Sequence, residues 1–465
     1  MPFNSFNFWL IFPFIFSFYW LIPSRYVSIK KWYLIVVSYL LYMNWKPAFA
    51  LALLGVTLVT FWGASIVNNT PNSKKRMIWI FALLSFLPLI VFKYYNFIND
   101  TCIQCLERIG SHFSLPGLNW AIPVGISFFT FQAVGYLFDV YYQRIKPEKS
   151  ITDYILFVSF FPQVTSGPIS KASELLPQIK NPQPFKYSQG VEGLKFLLWG
   201  MFIKLVVADR LGLYVDVVYT NYVHYSGFCC LLASVFYTFQ IYGDFAGYSL
   251  MAMGIANTLG YDIVNNFRQP YLSVSVTDFW RRWHISLSRW LKDYVYIPMG
   301  GSRCSKLRNY WNIFVTFLVS GIWHGANWTF IIWGIMHGVA QIIEKAFGFQ
   351  KCESKSFVVR AFRILITFAI VNFAWIFFRM PSLNEAILLI GKMFTSFNAG
   401  QFLTHELTSI KIALPIMLLY DLMMEFNLFK RFRTPAIKWC AYVILFVMIL
   451  LIGVLDSGQF IYVSF

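Results

Sequence analysis

His324 lies in the run Ser320-Gly-Ile-Trp-His-Gly-Ala-Asn-Trp328, between stretches 311–322 and 329–343, neither of which holds a charged residue. A titratable ring at membrane depth is costly, so it marks a functional site by default. Histidine titrates near neutral pH, which suits a base that takes the proton of a hydroxyl. Gly325 beside it lets a substrate approach. The bland alternative is a histidine held by a helix-to-helix hydrogen bond.

His284 stands in Asp278-Phe-Trp-Arg-Arg-Trp-His-Ile-Ser-Leu-Ser288, a basic and aromatic stretch. Its functional reading is a second polar group lining the same cavity as His324. Its bland reading is a neutral ring packed between Trp280 and Trp283. Arginines favour phosphate through charge-assisted hydrogen bonds, so Arg281, Arg282, Arg289 and Arg303 are the candidates for holding a phosphorylated donor. Asp244, in Tyr242-Gly-Asp-Phe-Ala-Gly-Tyr248, is placed between two spans, where a salt bridge or a helix cap competes with a binding role. Asn327 is a candidate for polarising a carbonyl. His337 reads as mid-helix packing, and nothing is assigned to His112, His224 or His405. No HExxH, cysteine cluster or nucleotide-binding glycine motif occurs, so neither a metal nor a nucleotide fold is expected.

These residues sit in a chain that water cannot cover. Of 465 residues, 58% are hydrophobic and 12% charged, against about 25% charged in a soluble domain. Aromatic residues reach 20%, as lipid-facing phenylalanine and interfacial tryptophan and tyrosine would give. The net charge of +18 reads as positive-inside bias and attraction to anionic lipid rather than nucleic-acid binding. The seven cysteines are scattered. A Cys102–Cys105 disulfide would close a strained small loop and is not the favoured reading. The first apolar segment lacks a basic n-region and a cleavage site, and reads as a retained helix.

A span needs about 20 mostly apolar residues. Candidates are 6–23, 32–45, 47–67, 77–95, 120–141, 190–207, 228–242, 245–261, the pair 311–322 and 329–343, 357–378, 409–426 and 436–455. The expectation is an all-α polytopic membrane protein of about 11 or 12 spans, one domain over 1–465, with re-entrant pieces where Pro and Gly interrupt, as around 162–168. Basic clusters at 30–31, 74–76, 144–149, 268–308, 345–363 and 430–438 place those loops in the cytoplasm and both termini outside. Cations on both sides of 311–344 then make that segment a broken hairpin with His324 near its turn, Gly321 and Gly325 permitting the break. Segment 267–310 reads as a cytoplasmic-side amphipathic helix carrying the arginines.

Seven ordered stretches together resemble the membrane-bound O-acyltransferase (MBOAT) family: Pro123-Val-Gly-Ile-Ser-Phe-Phe-Thr-Phe-Gln132, 166–171, 242–248, 266–271, 278–288, Tyr294-Val-Tyr-Ile-Pro-Met-Gly-Gly-Ser-Arg303 and 323–328. Within the family the chain is similar to the AlgI/PatA-like polysaccharide O-acetylation branch, with DltB-like D-alanyl transfer proteins more distant. Trp323-His324-Gly325 matches the site of that branch's essential histidine, and His284 matches its second histidine. Lys171 stands where relatives often have arginine, which keeps charge but loses the forked donor.

The resemblance implies a helical ring around a central funnel, with no bound cofactor. It implies acetyl-CoA or another acyl thioester, free or on an acyl carrier, as cytoplasmic donor. It implies an extracytoplasmic polysaccharide hydroxyl as acceptor, alginate-like or peptidoglycan, reached with an SGNH-type (serine-hydrolase-like) partner. His324 would take the acceptor's proton while Asn327 or His284 polarises the carbonyl. D-alanyl transfer to teichoic acid is the competing enzyme reading. A transporter or flippase is the non-enzyme one, since broken helices and buried polar groups suit it too, though no inverted repeat is visible. Enrichment in Phe, Ile, Lys and Asn looks bacterial, from an AT-rich genome, and the expected location is a bacterial cytoplasmic membrane.

Overall fold

The computed structural model describes residues 2–110, 116–351, 356–395, 404–428 and 434–454. Helices dominate, and no strand occurs among these residues. Among the described residues, five helical runs are long and apolar enough to cross a membrane: Phe49–Asn69, Pro71–Arg108, Gly227–Thr258, Phe357–Arg379 and Pro435–Ile452. The other segments expected to span form helices that are shorter, more polar or interrupted. The chain is an all-α polytopic membrane protein. It divides into two compact units, one built on Asn7–Leu194 with Ala252–Val264, the other on Lys195–Met251 with the described residues from Asn265 onward.

The first unit opens with α1 (Phe6–Leu21), α2 (Val27–Met43), α3 (Phe49–Asn69), α4 (Lys74–Leu89) and α5 (Tyr95–Arg108), a π-turn at Ile90–Tyr94 joining the last two. Close approach needs glycine here: a Cβ at Gly63 would stand 2.7 Å from the Phe81 ring, so α3 and α4 pack nearly backbone to side chain. Cys102 and Cys105 are exposed free thiols on α5. Buried Lys30 of α2 is held by the rings of Tyr19 and Trp20, 4.7 and 4.6 Å away, a cation–π arrangement that replaces water for its ammonium.

α6 (Ile126–Tyr141) starts at Gly125, whose φ of +75° and whose contact with Val164 O, 2.2 Å from a Cβ there, exclude any side chain. α7 (Ile151–Ser159), the one-turn α8 (Phe161–Val164) and α9 (Ala172–Lys180) follow. The irregular stretch around Pro162–Pro168 is buried throughout. Gln132 donates to Phe157 O at 2.6 Å, and Gln163 bonds Ser170. Non-helical backbone is tolerated at such depth only inside protein.

α10 (Tyr187–Met201) leads through a π-turn at Phe202–Ala208 to α11 (Asp209–Thr220). α12 (Gly227–Thr258) is one continuous 32-residue helix. This corrects the expectation of two spans with Asp244 between them. Gly243 and Gly247 do not break the helix; they let it lie against the π-turn and the end of α10, a Cβ on Gly243 standing 3.0 Å from Ile203 O and one on Gly247 2.8 Å from Gly200 O. After α13 (Val276–Arg282) and α14 (Ile285–Leu291) come a π-turn at Lys292–Tyr296, then α15 (Lys306–His324), α16 (Trp328–Ala346), α17 (Phe357–Arg379), α18 (Leu383–Thr395), α19 (Thr404–Glu425) and α20 (Pro435–Ile452).

α15 and α16 fold back on each other at glycine. A Cβ on Gly321 would meet Phe330 O at 2.4 Å, and one on Gly334 would meet Phe317 O at 2.5 Å. Small residues serve such crossings in membranes. Gly321 therefore lies within α15 at a packing contact, not at the break. The break is at Gly325, where the Phe330 ring occupies the space of a Cβ at 2.1 Å.

Candidate active site

The stretch 278–288 is two short helices, not one amphipathic helix. Ser275 caps α13 through Asp278 N, and Glu344 of α16 accepts from Val276 N, Thr277 N and Thr277 Oγ1 at 2.5–2.9 Å. A carboxylate suits that end of a helix. α13 stops at Trp283, and His284 takes a left-handed conformation (φ +44°, ψ 55°) as the cap of α14. Asn266 holds the junction, accepting from Ile285 N and Ser286 N at 3.0 and 3.1 Å. The aromatic face of the pattern is buried in protein: Phe279, Trp283 and Leu287 have no exposed surface.

That face joins α15, α16 and α17 in an aromatic cluster holding three histidines. His324, the last residue of α15, is buried with its ring 4.8, 4.9 and 5.1 Å from Trp323, Trp333 and Phe378. His284 packs edge-on to Phe245 at 4.6 Å and to Trp323 at 5.8 Å, rather than between Trp280 and Trp283. His337 of α16 accepts at Nδ1 from Trp280 Nε1, 3.2 Å away, so its proton is on Nε2. The sequence offered His337 as plain packing. It is buried, but it also fixes the Trp280 indole.

Beside this cluster is a cavity of about 460 Å³. Arg281, Arg289, Lys292 and Lys345 stand in its wall with Gln341 and Gln350. The lining also includes one stripe of α15, Ile313, Thr316, Phe317 and Ser320, at the i, i+3, i+4, i+7 spacing of a single helix face. His324 is the next residue on that stripe, about 6 Å of helical rise beyond Ser320. The lining thus joins cations to a helix stripe that ends one turn short of His324, which is not itself in the wall. Lys345 is steadied by Asn309, which donates to Tyr296 Oη and Gly301 O at 2.7 Å.

The other candidates are placed as follows. Arg281 and Arg289 line the cavity. Arg282 does not: it pairs with Asp278 at 3.1 Å and Glu425 at 2.7 Å. Arg303 is exposed in the turn after Gly301 and does not line this cavity. His284 is in the cluster but not in the cavity wall. The Asn327 amide caps α16 through Thr329 N at 3.1 Å and donates to Pro381 O at 2.7 Å, and it is not in the cavity wall. Asp244 is buried against Lys204, which also bonds Asp209 at 2.7 Å; it serves that ion cluster and does not reach the cavity. Lys204, missed in the sequence, was marked by being a lone cation in an apolar run. No group of histidine, cysteine or carboxylate among the described residues could hold a metal ion.

The profile described as MBOAT, membrane-bound O-acyltransferase family, matches residues 128–384. The chain is 34% identical over 422 residues to a Pseudomonas syringae pv. tomato protein named Probable alginate O-acetylase AlgI, covering 89% of this chain and 79% of that one. It is 36% identical over 390 residues to a peptidoglycan O-acetyltransferase of Helicobacter pylori, covering 78% and 73%. A teichoic acid D-alanyltransferase of Streptococcus thermophilus is 31% identical over 291 residues, covering 59% and 66%.

Proposed function

Because the chain belongs to the membrane-bound O-acyltransferase family, we propose that its cavity takes an acyl thioester from the cytoplasm and that His324 transfers the acyl group to a hydroxyl beyond the membrane. That it is a membrane O-acyltransferase follows from the family and the relatives. The donor, acceptor and residue roles are our reading.

The observation that carries the reading is the α15 stripe, which lines one cavity with the cations and has His324 one turn past its end. Arg281, Arg289, Lys292 and Lys345 would hold the phosphates of acetyl-CoA, or of a carrier-bound thioester. The apolar wall would guide the acyl arm. His324 takes the acceptor's proton as its oxygen attacks the acyl carbon. His284 acts as a positioning residue, holding Trp323 against the His324 ring. No bound cofactor is needed. With basic loops cytoplasmic, both termini face outward and the protein sits in a bacterial cytoplasmic membrane.

The acceptor class we propose is an extracytoplasmic polysaccharide, alginate-like or peptidoglycan, reached directly or through an SGNH-type partner; relatives carrying both names support it. D-alanyl transfer is a second reading, supported by the S. thermophilus relative over a shorter span. The test is label transfer from radiolabelled acetyl-CoA by the full chain in liposomes. Transfer supports the acetyl reading; transfer only from a D-alanyl carrier replaces it with the second.

A further inference from the structure

Ser320 stands four residues before His324 on α15, and its side chain has no exposed surface. Buried hydroxyls on the helices of this chain commonly donate to the carbonyl one turn back. Thr60 does so to Val56, Ser85 to Phe81, Ser159 to Ile155 and Thr316 to Asn312, at 2.6–2.7 Å. That bond satisfies the hydroxyl locally. Ser320 does not make it, and its Oγ has no hydrogen-bond partner among the described residues. Of the cavity's other hydroxyls, Thr277 donates to Glu344, Ser288 to Trp283 O and Thr316 to Asn312 O, while Tyr296 accepts from Asn309. The hydroxyls of Thr130, Ser249 and Thr329 are likewise buried without a partner among the described residues; a buried unpaired polar group calls for a partner, and of these four Ser320 alone lines the cavity. On α15, Ser320 is the lining residue nearest His324 in sequence, four residues before it.

We propose that Ser320 is a catalytic residue whose hydroxyl donates to the carbonyl oxygen of the donor's acyl group. The proposal rests on the acyl-transfer reading above. The acceptor oxygen bonds to the acyl carbon while His324 takes its proton. The carbonyl π pair moves onto oxygen, where the Ser320 O–H meets it. The pair then returns, the carbon–sulfur bond breaks, and His324 gives its proton to the leaving thiolate. A fixed donor in a water-poor site stabilises such an oxyanion without reorganising. Placed one turn below the base, Ser320 and His324 would bracket the reacting carbon from one helix face.

The test is acetate release from radiolabelled acetyl-CoA by the full chain in liposomes, with water as acceptor. Ser320→Ala should lower kcat about 10²-fold with little change in KM, and Ser320→Thr should restore part of it. A dead His324→Ala beside a fully active Ser320→Ala removes the Ser320 assignment alone. Wild-type turnover in His324→Ala removes the reading beneath it. A second measurement does not need turnover. Ser320→Cys should react with a small methanethiosulfonate reagent, read at residue 320 by peptide mass, faster than Ser249→Cys, and CoA should slow it. Ser249 is as buried but lies outside the cavity. Labelling at 320 no faster than at 249 overturns the proposal.

Discussion

The rings of His284 and His324 both rest against the indole of Trp323, with centroids 5.8 and 4.8 Å from it. Forty residues apart in sequence, the two histidines are thereby coupled through one side chain. What moves the first moves the surface on which the second is seated.

This coupling predicts distinct effects at His284. Its left-handed backbone (φ +44°) is tolerated by asparagine but strained for a β-branched residue. His284→Asn should fold, with thermal stability near wild type, and lose turnover by about tenfold or more as the base loses its seat. His284→Val should also lose roughly 1–3 kcal/mol of stability. Thermal unfolding in detergent beside a turnover assay separates them; equal turnover in His284→Asn and wild type would remove the positioning role.

The cavity arginines and their neighbour should part company. Arg281→Ala and Arg289→Ala should each raise the KM for acetyl-CoA about tenfold or more, since a charge-assisted hydrogen bond contributes about 1.5–3 kcal/mol, with kcat little affected. Arg282→Ala should leave KM alone and lower stability, because it removes the ion pair to Asp278 and leaves Glu425 with Arg360 alone. Steady-state kinetics at two salt concentrations checks this; a KM effect at Arg282 equal to that at Arg281 would contradict the placement.

Gly321→Ala places a methyl 2.4 Å from Phe330 O. Overpacking of that kind costs about 1–3 kcal/mol, so the melting temperature should fall and turnover with it as α15 is pushed off α16. Gly55→Ala, with nothing within 4 Å, is the matched control and should be neutral or slightly stabilising.

In the buried ion cluster, Lys204→Met should destabilise more than Asp244→Asn. Removing the lysine leaves Asp209 and Asp244 facing each other in a buried site, at roughly 3–5 kcal/mol. Asp244→Asn leaves Lys204 with Asp209. The melting temperatures of the two variants give the order, and the reverse order would show that Asp244 answers to something other than Lys204.

Much of this was legible before any coordinates. His324 announced itself as a titratable group in an apolar hairpin, and Arg281 and Arg289 as cations in an aromatic frame. The break after His324 was readable, but its cause was not. Gly321 and Gly325 look alike in sequence, and only the helix end at His324 tells the packing contact within α15 from the break after it. The same ambiguity divided α12 in two, because Gly243 and Gly247 serve close contacts there rather than a break. Asn327 and Arg282 had the right chemistry for a ligand, yet their partners, Pro381 and Glu425, are 54 and 143 residues away, and side-chain type does not reveal prior commitments. Ser320 carried no signal, since its unmet hydroxyl is defined by the absence of a bond that serine usually makes.

The most direct test is radiolabelled acetyl-CoA supplied to purified full-length chain in liposomes, wild type beside His324→Ala. The account predicts label captured on protein, partner or released acetate by the wild type, and a loss of about 10²–10⁴-fold in the variant. Equal capture by both would move the chemistry away from His324 and contradict it.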